Sequence, residues 1–556
     1  MRRLGELAVT ALFASLLSCC ATPWLTSVLG EARAAAPEIR PGNLLVRPRQ
    51  SATPSPPTSR PIAALIGAWA SQPLPDWKTE GKVTAPRVIL ARLTLGRDVA
   101  ELNVYLGSQL PWGRVGSTWP LHPQGDYDFT EIPLCATLPL LEPDTARHVL
   151  DVLLTQEGGT PTLTVPRTLG LVMDTENHIL MTEGARYLRN QELARRGSTD
   201  PAHDNERNGH EAWLYAHLVG LERAGMYEFN SNPYLGYTTM ALLTLEGLAD
   251  SERVRGEARL LLDTIALQYA YGSLELRRFA PFRRQLERAG RTELDGDPHT
   301  ALMKAWLCLS RPERTEVVIG GNTHQALYAA LMPYRVPEPT LDILEGKREP
   351  YYVRIGRGQG ATPELYSGGP DYLLSAGGCG RGRRSSIVAR PTVLMLRDGA
   401  RDLKETFHMA GKGPFTSWNN TGVLPLTAVG EGMVEVPEGM TPVAEAGYGP
   451  GRAERWQVYE IAGGPPIAVL VSPGMGIIAL FPGWRGSSAG LAGALVSANP
   501  DPEALVLGFT RPEADAPFRT TTYELDAGPG RWVIASVDGD AVERDYDAWP
   551  RMTSGL

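Results

Sequence analysis

The chain has 556 residues, of which 43% are hydrophobic and 21% charged, with a formal net charge of −8. That length exceeds one ordinary core and predicts two large domains, and the apolar content excludes a disordered chain. The acidic balance argues against a nucleic-acid binder, yet a local basic groove on an acidic protein still suits an acidic polymer.

Residues 1–36 read as an export signal. Arg2 and Arg3 supply a charged start, and Ala8 to Leu17 an apolar segment. Leu16-Leu17-Ser18-Cys19 resembles a bacterial lipobox, in which Cys19 is lipidated and attaches the protein to a membrane. Ala32-Arg33-Ala34 or Ala34-Ala35-Ala36 suits ordinary signal peptidase, and both routes stay open. Ser, Cys, Thr and Pro interrupt the apolar run, which argues against a permanent transmembrane helix. The expected location is therefore periplasmic, extracellular or lipid-anchored at a bacterial envelope.

Removing that segment leaves Cys135, Cys308 and Cys379, spaced too widely for a disulfide framework or a zinc site. Cys135 and Cys308 read as small buried apolar residues. Residues 37–61 contain P-R-Q-S-A-T-P-S-P-P-T-S-R-P, a linker with too little apolar surface to order itself.

From residue 62 to about 345 the apolar spacing is helical, with segments predicted near 62–70, 87–107, 144–156, 176–196, 211–224, 238–249, 251–271, 300–309 and 322–332. Short connections without strands between them predict helical hairpins, which build either a solenoid or a toroid. No fixed-period repeat stands out, which disfavours the solenoid.

After Leu344 glycine and proline multiply. Strands are predicted at 351–355, 386–388, 392–396, 455–461, 467–471, 476–480, 504–508, 520–525 and 531–537, punctuated by turns such as Gly463-Gly464-Pro465-Pro466. The expectation is an α+β multidomain chain: an α/α toroid, incomplete or closed, over 62–345, then an antiparallel β-sandwich over 346–556. A cleft between domains is the default place for a ligand.

The chemistry-bearing stretch runs from Asp174 to Asp250. It opens on D-T-E-N-H at 174–178, crosses one further helix, and closes on E-F-N-S-N-P-Y-L-G-Y at 228–237. A helix-turn-helix excursion brings the second motif back beside the first, so that Asn177, His178, Asn230 and Tyr234 share one wall. Consecutive residues on a helix project about 100° apart, so Asn177 and His178 can both face a ligand only on a concave wall.

This wiring resembles the active sites of the alginate lyase and heparinase-like polysaccharide lyases, which carry an α/α toroid followed by a β-sandwich. The resemblance covers most of the chain in architecture, but in motif only 174–250 and, faintly, P-D-Y-L-L-S at 370–375 and S-W-N-N-T-G at 417–422. It implies an acidic, uronate-containing polysaccharide as substrate, cleaved by β-elimination. Such an enzyme must neutralise the carboxylate, remove the adjacent proton, and protonate the leaving oxygen. The resemblance gives Asn177 as neutraliser, His178 as base and Tyr234 as acid or base. Arg223, a possible cation, and Tyr237 are weaker candidates, with Glu176, Glu228 and Asn230 lining the cavity. From the second domain, His408 and Tyr372 are the available guesses.

Three other readings compete. Thr175, Glu176, Asn177 and Asn230 are also ordinary helix-capping residues. Glu176 and Glu228 across one cavity would suit a glycoside hydrolase. A toroid without activity would be a carbohydrate-binding surface protein. The arginines from Arg277 to Arg291, with Arg381, Arg383 and Arg384, could grip a polyanion but singly read as solvated faces. Trp69, Trp77, Trp112 and Trp119 read mostly as core. His203, Asp204 and His210 lack ligand spacing, and no cofactor or metal is expected.

Overall fold

The computed structural model of the protein describes residues 59–80, 84–112, 126–165, 168–226, 228, 234–278, 298–319, 324–355, 364–377, 392–397, 401–409, 422–513, 519–528, 531–542 and 553–554. The chain divides into two compact units. One comprises residues 1–229, 233–266 and 301–337, the other residues 230–232, 267–300 and 338–556. The leader, the linker up to residue 58, Cys19, Cys379 and the predicted strand at 386–388 lie outside the described residues.

The first unit is helical: α1 (Arg60–Ala70), α2 (Trp77–Glu80), α3 (Thr84–Thr94), α4 (Val99–Gly107), α5 (Asp128–Thr137), α6 (Pro143–His148), α7 (Glu176–Arg195), α8 (His210–Ala224), α9 (Tyr234–Leu248), and most of α10 (Glu252–Tyr271), α11 (Pro298–Ser310) and α12 (His324–Leu331). Ser59 caps α1 by accepting from the Ile62 amide, and Pro61 sits in the first turn, where its missing N–H costs nothing. The single helix predicted over 87–107 is two, because the chain turns through left-handed backbone at Gly96 (φ 64°) and Asp98 (φ 53°). The segment predicted at 144–156 is α6 followed by one wide turn, in which the Leu154 amide donates to Val149 O at 2.8 Å.

Helix α7 is the axis of this unit. It packs on α5 and α9, α9 packs on α5 and α12, α5 packs on α3, and α12 packs on α1 and α3. Gly184 in α7 faces Ile132 of α5 and Leu245 of α9, where an added Cβ would still make ordinary contact at 3.4 and 3.5 Å. Several polar residues on α7 are buried and hydrogen-bonded. Arg189 donates to Leu150 O (2.7 Å) and pairs with Glu157, and Asn190 donates to Gly158 O and Asn205. The described tryptophans before α7 are core: Trp77 donates to Leu110 O (2.9 Å) and Trp112 to Thr130 (3.0 Å).

The second unit adds α13 (Glu338–Glu345) and is otherwise mostly antiparallel sheet. Its strands are β1 (Tyr351–Ile355), β2 (Glu364–Gly368), β3 (Tyr372–Gly377), β4 (Thr392–Leu396), β5 (Phe407–Met409), β6 (Gly422–Leu424), β7 (Thr427–Glu431), β8 (Ala444–Gly447), β9 (Arg455–Tyr459), β10 (Ile467–Val471), β11 (Met475–Leu480), β12 (Gly508–Pro512), β13 (Thr520–Gly528), β14 (Arg531–Val537), β15 (Asp540–Ala541) and β16 (Thr553–Ser554). Among the described residues they form three sheets, ordered β16-β1-β2-β3-β4-β5, β6-β7-β11-β10-β9-β8 and β12-β13-β14-β15. Asp538 (φ 51°) and Gly539 (φ 87°) turn β14 into β15 with the positive φ pair that short hairpins need.

Alternate side chains of the first two sheets share one apolar cluster, with Leu365, Leu374, Leu394 and Phe407 from one and Ile467, Val469, Ile478 and Leu480 from the other. The opposite face of the second sheet, with Trp456, Leu470 and Ile477, meets the helix α14 (Ser488–Ala498) and Phe509, Tyr523 and Ile534 of the third sheet. The predicted strand at 504–508 is corrected to a 3-10 turn at Pro502–Val506, started by Asp501 accepting from the Glu503 amide. The strand β12 begins only at Gly508. Among the described residues, no helix is long and apolar enough to cross a membrane.

Candidate functional site

Asn177 and His178 stand in the first turn of α7 and Tyr234 and Tyr237 in the first turns of α9; α7 packs on α5, and α9 on α5 and α12. Thr175 precedes α7 with the extended backbone of an N-cap residue, as the capping reading expects. Its hydroxyl does not cap a backbone amide. It donates to Asn177 Oδ1 at 2.5 Å, which fixes the Asn177 side chain. Asn177 is fully buried, and its Nδ2 has no hydrogen-bond partner among the described residues.

One residue on, His178 Nδ1 lies 2.6 Å from Oδ2 of Asp128, the first residue of α5. The imidazole is a quarter exposed, and Asp128 is buried with its other oxygen unpartnered among the described residues. Burial by itself lowers the His178 pKa. The Asp128 charge and hydrogen bond, joined by Asp174 and Asp126, outweigh that and push it up to about 10. His178 is therefore an imidazolium at neutral pH, a donor and a cation rather than a proton acceptor.

Helix α9 opens on Tyr234, which is half-buried, and carries the buried Tyr237 one turn later. Phe129 of α5 sets its ring edge-on to both Tyr237 (4.3 Å) and His178 (5.3 Å), so the phenol and the imidazole flank one aromatic wall. Burial raises the Tyr237 pKa, and the charge of Arg87 only partly opposes it, with Tyr234, Asp126 and Asp128 raising it further. Arg87, on α3, is fully buried, with Nη2 at 3.2 Å from Met240 Sδ and its guanidinium 5.8 Å from the Tyr328 ring centroid. Arg223, the cation expected from the sequence, is exposed in the last turn of α8. The guanidinium that acts on Tyr237 is that of Arg87.

Glu176 and Glu228 are both buried, and Glu176 Oε1 accepts from the Glu228 backbone amide at 2.5 Å. Glu176 thus ties the segment after α8 to the start of α7. Asn230 lies outside the described residues. The guesses from the second unit are packed within it. Tyr372 on β3 belongs to the shared apolar cluster, and burial pushes its phenol up to about 12. His408 on β5 is buried, holds its Nδ1 3.2 Å from Thr406 O, and has its pKa lowered by that burial. Of the basic run, Arg277 pairs with Glu275 and donates to Arg397 O, while Arg278 is buried over the Tyr269 ring. Arg283 to Arg291 and Arg381 to Arg384 lie outside the described residues.

No known protein family matches this chain, and no curated protein does. Among the described residues, no group of three or more His, Cys, Asp or Glu side chains is placed to hold a metal ion.

Sequence reasoning missed Asp128, Arg87 and Glu131. Glu131, one turn after Asp128, is buried. Its Oε1 accepts from Thr155 at 2.6 Å, and burial, opposed by that bond, pushes its carboxyl up to about 8. A second buried polar group lies along α7. Glu183 accepts from the Thr162 amide (2.9 Å) and pairs with Arg186 at 3.2 Å. Trp213 stacks between His210 (5.7 Å) and His217 (5.2 Å), and burial holds both imidazoles down to about 4.

Proposed function

We propose that the protein is a polysaccharide lyase that cleaves uronate-containing chains by β-elimination. The observation that carries this reading is the His178–Asp128 pair beside Asn177, at the wall where Phe129 also meets Tyr237 of α9. An imidazolium and an amide N–H are the donors that a uronate carboxylate needs, and neutralising it is what makes the adjacent C5 proton removable. Asp128 keeps His178 in the protonated form.

Tyr234, the half-buried group at the mouth of α9, is the proton-transferring residue. As phenolate it takes the C5 proton. The electron pair of that bond forms the C4–C5 double bond, the C4–O bond breaks, and the phenol returns the proton to the leaving glycosidic oxygen. Tyr237, kept protonated by burial, holds the wall and donates rather than accepts.

The helix-first, sheet-second order supports a toroid followed by a sandwich, and the apolar cluster shared by two six-stranded sheets supports the sandwich in particular. Export, with Cys19 as a lipid anchor, would hold the enzyme where extracellular polymers are met.

The test is to offer alginate, hyaluronan, chondroitin and heparan sulfate to the protein and follow the ultraviolet absorbance of the new double bond. Loss of that signal in His178→Ala and Tyr234→Phe is expected, and wild-type rates in both would sink the assignment. New reducing ends without absorbance would mean hydrolysis. Binding without shortening of the polymer would mean a carbohydrate-binding protein.

A further inference from the structure

Helix α12 carries two polar side chains that the elimination chemistry does not use. Gln325 is fully enclosed, and among the described residues neither its amide nitrogen nor its amide oxygen has a hydrogen-bond partner. One turn later Tyr328 is fully enclosed as well, and its hydroxyl has no partner among them. An amide left in this state destabilises a fold, whereas a methionine of the same length would not.

The fold nevertheless makes room for this amide at the reacting helix. A Cβ on Gly236 would lie 2.0 Å from Gln325 Nε2 and 2.4 Å from its Cδ, so only glycine lets the side chain rest on that turn of α9. Gly236 stands between Tyr234 and Tyr237 in the sequence. Tyr328, for its part, lies by Arg87, whose charge reaches both Tyr328 and Tyr237. Gln325 thus rests against the turn of α9 that carries the phenols, with Tyr328 beside Arg87 one turn further along α12.

We propose that Gln325 is a ligand-binding residue of this site that reads two neighbouring hydroxyl groups of a pyranose ring, its N–H donating to one and its carbonyl accepting from the other. The proposal rests on the lyase reading for the position of the sugar. An amide that both donates and accepts matches hydroxyls better than a carboxylate, which only accepts and already has Asn177 and His178. Tyr328 adds one further hydroxyl partner beside Arg87.

The experiment compares wild type with Gln325→Met in two readouts: thermal midpoint, and calorimetric affinity for a mannuronate trisaccharide, a hyaluronan tetrasaccharide and neutral cellotetraose. Removing two unsatisfied polar atoms is expected to raise Tm by about 2–4 °C. It is also expected to weaken whichever saccharide binds wild type by about tenfold. A merely structural glutamine would not lose affinity while gaining stability. Tyr328→Phe keeps the ring and is expected to lose about fivefold in the same assay.

Unchanged affinity in both variants, or a lower Tm for Gln325→Met, overturns the proposal. If only cellotetraose binds, and Gln325→Met weakens it, the uronate reading fails while this one stands. A wild type that binds none of the three overturns both.

Discussion

Asp128 and His178 come from different helices, 50 positions apart in the chain, and their side chains meet at 2.6 Å. The contact sets the charge of the site. Asp128→Asn removes the largest influence raising the His178 pKa and leaves burial, which lowers it. The imidazole is expected to titrate well below 10, with burial then opposed only by the charges of Asp174 and Asp126, followed through its ring-proton NMR shift against pH. Cleavage should fall about a hundredfold, because a neutral imidazole cannot balance a carboxylate.

The same pair makes stability depend on alkaline pH. The folded pKa of His178 is raised, so its contribution is complete below about 6.5 and is lost as pH climbs toward 10. Denaturant titrations from pH 6 to 10 should show stability falling across that window. His178→Gln should flatten part of the fall, and an unchanged slope would contradict the assigned protonation.

Glu131 acts over a lower window. Its folded pKa is raised to about 8, so its protonated form supports the fold at pH 4.5 and that support is lost as pH passes 8. Glu131→Gln mimics the protonated acid. It is expected to match wild type at pH 5 and exceed it at pH 9 by on the order of a few kcal/mol, read from urea midpoints at the two pH values.

On the acid side, the buried His210 and His217 have lowered pKa values of about 4. The unfolded chain binds their protons first, so stability should decline as pH falls from 6.5 toward 4. His217→Phe keeps a ring stacked on Trp213 and should soften that decline in thermal melts between pH 4 and 7.

Gly236→Ala puts a methyl into the space of the Gln325 side chain. Overpacking of this kind costs about 1–3 kcal/mol. The loss should appear in the urea midpoint, and relief by the double variant with Gln325→Ala would show that the clash is the cause.

Much of the helical unit was legible because α1 follows its Ser59 cap and α7, α8 and α10 are long runs without an internal proline. Helix α5 was not, and the reason is physical. All ten of its residues are buried and Pro133 sits inside it, so there is no polar face to give a stripe and a helix breaker where one should not be. Losing α5 meant losing Asp128 and Glu131. Arg87 was missed because one arginine in a helix reads as a snorkelling surface residue, while here it is enclosed by tyrosines. Strand β2 is buried at all five positions and shows no alternation, and α14 was hidden by its two glycines until Ser487 is seen capping it. The pairing of Asn177 with Thr175 was within reach, since Thr followed by an amide two residues later is a local hydrogen-bonding pattern.

The burial of the middle of α7 also orders the events of opening. Its central amides, between Leu180 and Leu188, are shielded by α5 and α9 and are reached by solvent only when the whole unit comes apart. Deuterium uptake there should report global unfolding, and uptake should be faster at the exposed turn of Leu169 and Leu171. The His178 imidazole therefore stands at the border between well-shielded and exposed backbone, buried on one side and a quarter open on the other.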